Sequence, residues 1–476
     1  MTAPWNNSRV VIAGLGRTGY SVARHLLAQG ASVAVTDTRA APPELARLTA
    51  LSADITVRTG GFAVELLEGA DLVVVSPGVA LTGEFFDTAR ARGIGIVGDI
   101  ELFARAARAP VVGVTGTNGK STVTTLVAQM AARAGIVTRA GGNLGPPALD
   151  LLDAGVGLYV LELSSYQLET CPSLQLAAAT VLNVTPDHLD RYADVAGYAA
   201  AKARIFAHCD TAVINLDDPL VAAMGTASSR RLGFSLRADV AADYGLVRRP
   251  ARVAVATGAA TAAVGAGAAA GVSAGAAAAG AGEWWLARRG EPLLAVSDMK
   301  IAGLHNAANA LAALALGEAL QLPLAAMLDE LRSFTGLAHR TQWVADVAGV
   351  RYVNDSKGTN VGATLAAVAG LAGPLLVIAG GDGKGQDFAP LAAAFQGKVR
   401  AALLIGRDAR ALGAALAGVC ACEYCADLDA AVAAAAARAA PGDTVLLSPA
   451  CASLDMFRDY AQRGQVFEQA VRRLAA

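Results

Sequence analysis

Little in this chain ties it to an oxidising compartment, a nucleic acid or a membrane. Six cysteines in 476 residues are too few and too scattered for a disulfide framework, so a reducing compartment is expected. The 39 Lys and Arg balance 40 Asp and Glu, and no basic block marks a nucleic-acid partner. The opening MTAPWNNSRVVIAGLG lacks the charged, apolar and small-residue succession of a secretory leader, and a cytoplasmic protein is expected. Long apolar runs are scarce as well. The 54% hydrophobic content is inflated by alanine, and most apolar runs are as short as buried strands. A charge-free stretch of membrane-spanning length, 253–282, is almost wholly Ala and Gly. Alanine barely favours insertion and glycine breaks helices, so a low-complexity insertion in a surface loop is expected, and no membrane span.

A chain of this length exceeds a single core. Short apolar runs alternate with helical periodicity in three blocks, which predicts an α/β protein of three domains with mostly parallel, doubly wound sheets. The first block, 1–98, is Rossmann-like: the strand RVVIAG, a glycine loop, a helix and the strand ASVAVTD. The second, 99–336, carries the strands APVVGVT, LYVLEL, AATVLNV and TAVINL, with an Ala/Gly-rich insertion at about 237–282. The third, 337–476, is again Rossmann-like, its strands GVRYVND, PLLVIAGG, AALLIG and DTVLLS separated by helices.

The segment GVTGTNGKST, 113–122, departs from the common P-loop spelling, because Val114 stands where the first glycine belongs. Its context decides the reading. An apolar strand ends at Thr115, a glycine turn follows and a helix begins near Lys120, the geometry in which backbone N–H groups face a phosphate. Gly116, Thr117, Asn118 and Gly119 form the cradle, Lys120 reaches the β- and γ-phosphates, and Ser121 or Thr122 can hold Mg²⁺. The block is therefore read as a P-loop ATPase domain.

Other motifs are ambiguous alone. Gly14, Gly16 and Gly19 with Asp37 match a dinucleotide fingerprint, which fits NAD as well as any other diphosphate. Glu162, at the end of LYVLEL, is where nucleotide-bound Mg²⁺ expects an oxygen, although a chance carboxylate is an alternative. His188 in NVTPDHLDRY suits a structural role as well as a ligand, and Lys202 in YAAAKARIF reads as a solvated helix charge. In HNAAN, Asn306 and Asn309 share a helix face and suit capping. Arg340 in AHRTQWV suits γ-phosphate charge. The segments NDSKGTN, GGDGKGQDF and SPACASLDMFRDY each follow a strand, where open α/β sheets bind ligands. Cys420, Cys422 and Cys425 lack a nearby fourth ligand and read as buried free cysteines.

TGTNGKST resembles the phosphate loop of the Mur ligase superfamily, ATP-dependent amide ligases of peptidoglycan and folate chemistry, and the resemblance runs in order through nearly the whole chain. ELSSYQL and the three third-block segments resemble the D-glutamate-adding branch. That resemblance implies ATP and Mg²⁺ as cofactors, UDP-N-acetylmuramoyl-L-alanine and D-glutamate as substrates, and a monomer. It makes Arg17, Thr18, Asp37, Thr38, Arg39, Ser76, Gly78, Asn143 and His188 contacts of the UDP-substrate. It gives adenine to Asn306 and Asn309, and the nucleotide also to Arg340 and Asp355. Lys357, Thr359, Lys384, Ser453 and the main chain at Tyr460 would hold D-glutamate, with Tyr460 replacing a usual phenylalanine. Ser121, Glu162, His188 and a carbamylated Lys202 would hold magnesium, and Lys120, Glu162, His188 and Lys202 would carry catalysis. The alternatives are a folylpolyglutamate synthase of the same superfamily, an NAD-linked oxidoreductase built on the first glycine loop, and a non-catalytic P-loop module. Deleting 253–282 is expected to leave most turnover intact, because Ala/Gly runs rarely pack a core. Phosphate-release rates of the purified deletion variant check this, and an insoluble or inactive product would refute it.

Overall fold

The computed structural model describes residues 5–52, 54–188, 191–225, 227–250, 282–301, 303–371 and 373–475. The first block comprises β1 (Arg9–Ala13), α1 (Arg17–Ala28), β2 (Ser32–Asp37), α2 (Leu45–Leu51), β3 (Thr56–Thr59), β4 (Leu72–Val75), α3 (Glu84–Ala91) and β5 (Gly95–Gly98). Its strands form a parallel sheet in the order β3-β2-β1-β4-β5. The central block runs through α4 (Asp99–Ala106), β6 (Val111–Thr115), α5 (Lys120–Arg133), β7 (Thr138–Gly142), β8 (Leu158–Glu162), α6 (Ser165–Glu169) and β9 (Leu176–Val181). It continues with α7 (Val195–Ala203), β10 (Cys209–Asn215), α8 (Pro219–Ala222), β11 (Arg230–Phe234), β12 (Tyr244–Arg249), β13 (Glu283–Arg288), β14 (Glu291–Ala295), α9 (Leu304–Ala319) and α10 (Leu324–Ser333). These strands make a nine-stranded sheet, β14-β13-β12-β11-β10-β9-β6-β8-β7.

The third block begins with β15 (Gln342–Val347), β16 (Val350–Asn354), α11 (Val361–Gly370), β17 (Leu375–Gly380), α12 (Ala389–Phe395) and β18 (Val399–Ile405). It ends with α13 (Ala409–Ala415), β19 (Ala421–Tyr424), α14 (Leu428–Arg438), β20 (Thr444–Leu447) and α15 (Tyr460–Ala475). The sheet order is β15-β16-β20-β17-β18-β19. Central strands such as VVGVT and LLVIAG are buried along their whole length, as parallel strands covered on both faces must be. Their polar loops therefore gather at the carboxyl edges, where ligands bind.

Among the described strands, antiparallel pairing is confined to β12–β13, β13–β14 and β15–β16, with isolated antiparallel bridges at Asp37–Gly61 and Asp382–Ala452. The turn between β13 and β14 has Arg289 and Gly290 both at positive φ, the two-residue hairpin geometry that follows strand twist. The run expected as an insertion at 237–282 is thus partly strand: 244–249 form β12, and 251–281 lie outside the described residues. Alternation was missed there because YGLVRR is short and its neighbour is low in complexity. Cys420, Cys422 and Cys425 are half-buried free thiols, because β19 is an edge strand and covers one side only. Among the described residues no helix is long and apolar enough to cross a membrane, and no group of three or more His, Cys, Asp or Glu could hold a metal ion.

The blocks touch through named contacts. Ser21 and Arg24 of α1 both bond Asp150, and Arg17 donates to the Gly145 carbonyl. Arg340 reaches Ser121, and Asn360 reaches Asp187. At the first junction Asp99 opens α4 fully buried, with Gln167 Nε2 as a side-chain partner at a long 3.5 Å. Burial pushes its carboxyl up to about 6 from 3.8. A raised acid contributes stability below its unfolded value and loses it as pH rises through the folded one. Asp99→Asn is therefore expected to stabilise the fold at about pH 8 by about 2–3 kcal/mol and to gain little at about pH 4. Thermal melts at both pH values check this, and an equal gain at both would refute it.

Candidate active site

The loop after β6 is built to receive an anion. Gly116 has φ +140°, and Gly119 caps α5 in the left-handed region with no side-chain hydrogen bond at that helix start. The N-terminal N–H groups of α5 thus meet no capping side chain, as phosphate cradles require. A methyl on Gly119 would collide with the Asn309 amide, so glycine also lets the loop approach α9. Asn183 stiffens the loop. It accepts from Asn118 N at 2.8 Å and donates to the Asn118 carbonyl at 3.1 Å, while its own carbonyl accepts from Thr117 N at 2.9 Å. Sequence reasoning missed Asn183; the available signal was its place just after β9, which pairs with β6.

Lys120 folds back and donates to the carbonyls of Gly116 (2.9 Å) and Thr117 (2.8 Å). Lys202, 1% exposed on α7, donates to the same Gly116 carbonyl at 3.0 Å and lies 4.3 Å from the Tyr198 ring centre. The solvated helix charge expected from sequence is thus a buried amine. Burial lowers both lysines; Lys120 further lowers Lys202, which falls well below its ordinary value.

Glu162 ends β8 opposite this loop. Its Oε2 accepts from Ser121 Oγ at 2.5 Å and its Oε1 from Asn143 Nδ2 at 2.7 Å. Arg340 Nη2 donates to the same Ser121 hydroxyl at 2.6 Å. A buried carboxylate and hydroxyl beside a phosphate cradle are hard oxygen donors of the kind Mg²⁺ takes. His188, at φ +55°, sits 3.8 Å from Asp187 and packs edge-on to Tyr166 and Tyr198. It therefore shares the Tyr198 ring with Lys202.

Between the central and third sheets lies a cavity of about 260 Å³, lined by Asn118, Gly119, Thr122, Asn306, Asn309, Arg340, Asp355 and Lys357. Asn215, Phe234 and His305, unforeseen from sequence, also line it. Asn309 donates to Asn306 at 3.2 Å, which orients both amides across one helix face. Asp355 is pushed up to about 6 by burial, although Ser448 and Thr341 donate to it. Lys357 is pulled down to about 8, first by burial and then by Arg340 and Lys120. Its ammonium lies 4.0 Å from the Tyr460 ring centre. Ser453 is buried, Thr359 half-buried and Lys384 exposed, the last at φ +51°.

A second cleft of about 470 Å³ lies at the carboxyl edge of the first sheet. It gathers Arg17, Thr18, Asp37, Thr38, Arg39, Ser76, Gly78 and Asn143, together with Gln167; His188 is not among its lining residues. A methyl on Gly19 would strike the Gly14 carbonyl, so glycine is what lets α1 pack this close to its own loop. Asp37 is buried, yet Leu15 N–H and the Arg39 guanidinium outweigh that desolvation and hold its carboxyl at about 2. Both its oxygens are thus engaged inside the protein, unlike the free carboxylate that would meet a ribose.

Three family models match in succession: the Mur ligase MurD-like N-terminal domain over residues 8–98, the Mur ligase middle domain over 114–254 and the Mur ligase glutamate ligase domain over 339–451. A UDP-N-acetylmuramoylalanine–D-glutamate ligase of Nitrosococcus oceani is 50% identical over 98% of this chain and 96% of its own length. The same-named enzyme of Pseudomonas aeruginosa is 46% identical over 98% of both chains. Among solved structures, UDP-N-acetylmuramate-alanine ligase of Thermotoga maritima shares the fold at TM-score 0.59 and 18% identity, over 98% of this chain and 99% of its own. MurF ligase of the same organism, in complex with ADP, does so at 0.58 and 16%, over 99% and 97%. The chain belongs to the Mur ligase family, ATP-dependent ligases of peptidoglycan-precursor synthesis.

Proposed function

We propose that this chain joins D-glutamate to UDP-N-acetylmuramoyl-L-alanine, converting ATP to ADP and phosphate, as a cytoplasmic monomer. The observation that carries the reading is the mutual influence of three cations, Lys120, Arg340 and Lys357, beside a cavity bounded by the phosphate cradle and the third sheet. Buried like charges are tolerated where an anion completes them. The names of the full-length relatives at 45–50% identity support the same substrates.

In this reading the first cleft holds the uridine diphosphate moiety through Arg17, Thr18, Thr38, Arg39, Ser76, Gly78 and Asn143, with Asp37 shaping the glycine loop. Asn306 and Asn309 face adenine, Asp355 meets the nucleotide, and residues 116–122 cradle the phosphates. The terminal alanine carboxylate attacks the γ-phosphorus and ADP leaves, giving an acyl phosphate. The neutral amine of D-glutamate then attacks the acyl carbon, loses a proton to solvent, and phosphate departs. Lys120 and Arg340 neutralise the charge on the transferring group, so catalysis rests on positioning and electrostatics. Ser121, Glu162, His188 and a modified Lys202 would hold magnesium, which would supply Lewis-acid polarisation of phosphate and carboxylate oxygens. Lys357, Lys384, Thr359, Ser453 and the Tyr460 main chain bind the two carboxylates of D-glutamate.

Lys202 acts as a carbamate. Its nitrogen and that of Lys120 bond one carbonyl oxygen, so two ammonium groups there would repel by about 3 kcal/mol at an effective dielectric of about 20. A neutral Lys202 amine can add to CO₂ and release a proton, which leaves a negative, carboxylate-like donor in its place. Two experiments test these statements. Phosphate release with ATP and UDP-N-acetylmuramoyl-L-alanine is expected to depend on D-glutamate and not on L-glutamate; equal use of both isomers would refute the substrate assignment. Lys202→Ala is expected to lose activity and recover part of it with a small carboxylic acid in solution, whereas Lys202→Arg stays inactive. Full turnover by Lys202→Arg would sink the carbamate.

A further inference from the structure

Arg463 lies in the first turn of α15 and is 1% exposed. Its guanidinium makes six hydrogen bonds. Nε donates to Ser356 Oγ (3.0 Å) and Nη2 to the Ser356 carbonyl (2.8 Å); both Nη1 and Nη2 reach the Cys451 carbonyl (3.2 Å each); Nη1 also reaches those of Ala452 (3.4 Å) and Gly380 (3.5 Å). Among the described residues it forms no ion pair with a carboxylate. A fully buried cation satisfied by carbonyls and one hydroxyl is an unusual choice for stability alone, since a well-packed apolar side chain avoids its desolvation.

The acceptors define what the charge is for. Ser356 precedes Lys357, Ala452 precedes Ser453, and Gly380 ends the strand that leads to Lys384. Ser356 Oγ in turn donates to the Tyr460 carbonyl at 2.8 Å, at the start of Arg463's own helix. The three loops are also laced to one another: Gly380 N donates to Pro449 O, Ala450 N to Gly358 O, and Asp382 and Ala452 exchange both backbone hydrogen bonds. We propose that Arg463 is the positioning residue of the amino-acid subsite: its planar fork fixes the spacing of the loops after β16, β17 and β20 and the start of α15, so that two carboxylates meet a preformed frame backed by a buried positive charge. This rests on the substrate reading given above. Lysine, with three donors on one rotating nitrogen, keeps the charge but cannot span those acceptors.

The test separates the subsite from the rest of the enzyme. Hydroxylamine has no carboxylates, so it traps the acyl phosphate as a hydroxamate without using the subsite. In Arg463→Lys, the KM for D-glutamate is expected to rise by about tenfold or more, the loss of one or two charge-assisted hydrogen bonds, while hydroxamate formation stays within about twofold of wild type. A folded Arg463→Lys enzyme with the wild-type KM would overturn the proposal, as would hydroxamate formation falling in step with D-glutamate use. If Arg463→Lys gives no cooperative melt, Ser356→Ala decides, since it removes one acceptor and leaves the arginine: a smaller KM rise supports the proposal and an unchanged KM overturns it. Wild-type enzyme that forms hydroxamate yet ignores D-glutamate would refute the substrate reading instead, and the KM of the amino acid it does accept would then judge Arg463.

Discussion

Two lysine nitrogens, Lys120 and Lys202, share the carbonyl oxygen of Gly116, and the site is organised around that crowding. Gly116 itself adopts φ +140°, a conformation that a side chain would strain. With Lys202 buried and Lys120 half-buried, their combined charge favours reduction or a matching anion. The enclosing groups supply the match in part: Glu162 and Asp187 draw both lysines back toward the charged form, while Arg340 opposes this for Lys120.

The crowding has a structural origin in sheet topology. β6, β8 and β9 are adjacent parallel strands, so the loops carrying Lys120, Glu162 and Asn183 emerge at one edge within hydrogen-bonding reach of each other. The third sheet contributes Arg340 to that edge before its own first strand begins, and Arg340 reaches Ser121 across the boundary. A residue of one block therefore bonds the first turn of α5 in another. Domain arrangement and chemistry meet at a hydroxyl that already serves Glu162.

The sequence was most informative where chemistry is local. Apolar runs such as VVGVT and LLVIAG marked their own strands, and the glycine turn before Lys120 announced a phosphate cradle because its backbone conformation is dictated over a few residues. The three segments after β16, β17 and β20 stood out by their place after strands and by their resemblance to the D-glutamate-adding branch. What stayed hidden depends on distant partners. Nothing within AQRGQ separates Arg463 from a surface arginine; its acceptors lie up to 107 residues away. Lys202 looks like an exposed helix charge until Gly116, 86 residues earlier, is brought against it. Asp99 reads as an ordinary first-turn acid, yet it is fully buried, and its side-chain partner Gln167 lies 68 residues on. β12 was absorbed into its low-complexity neighbour because a strand declares itself through a partner, here β13.

That pairing has a consequence for how the chain can change. Arg249 and Glu283 face each other in register, so the ends of the connection between β12 and β13 are held together by the sheet itself. The free energy of joining two fixed ends grows only with the logarithm of the length between them, about 0.6 kcal/mol for each doubling. Codons can accumulate or vanish between such fixed ends with little thermodynamic penalty. The same hairpin end is a natural port for protein engineering, where a guest domain with closely spaced termini could be spliced in on the far side of the nine-stranded sheet from β7, the strand at its opposite edge.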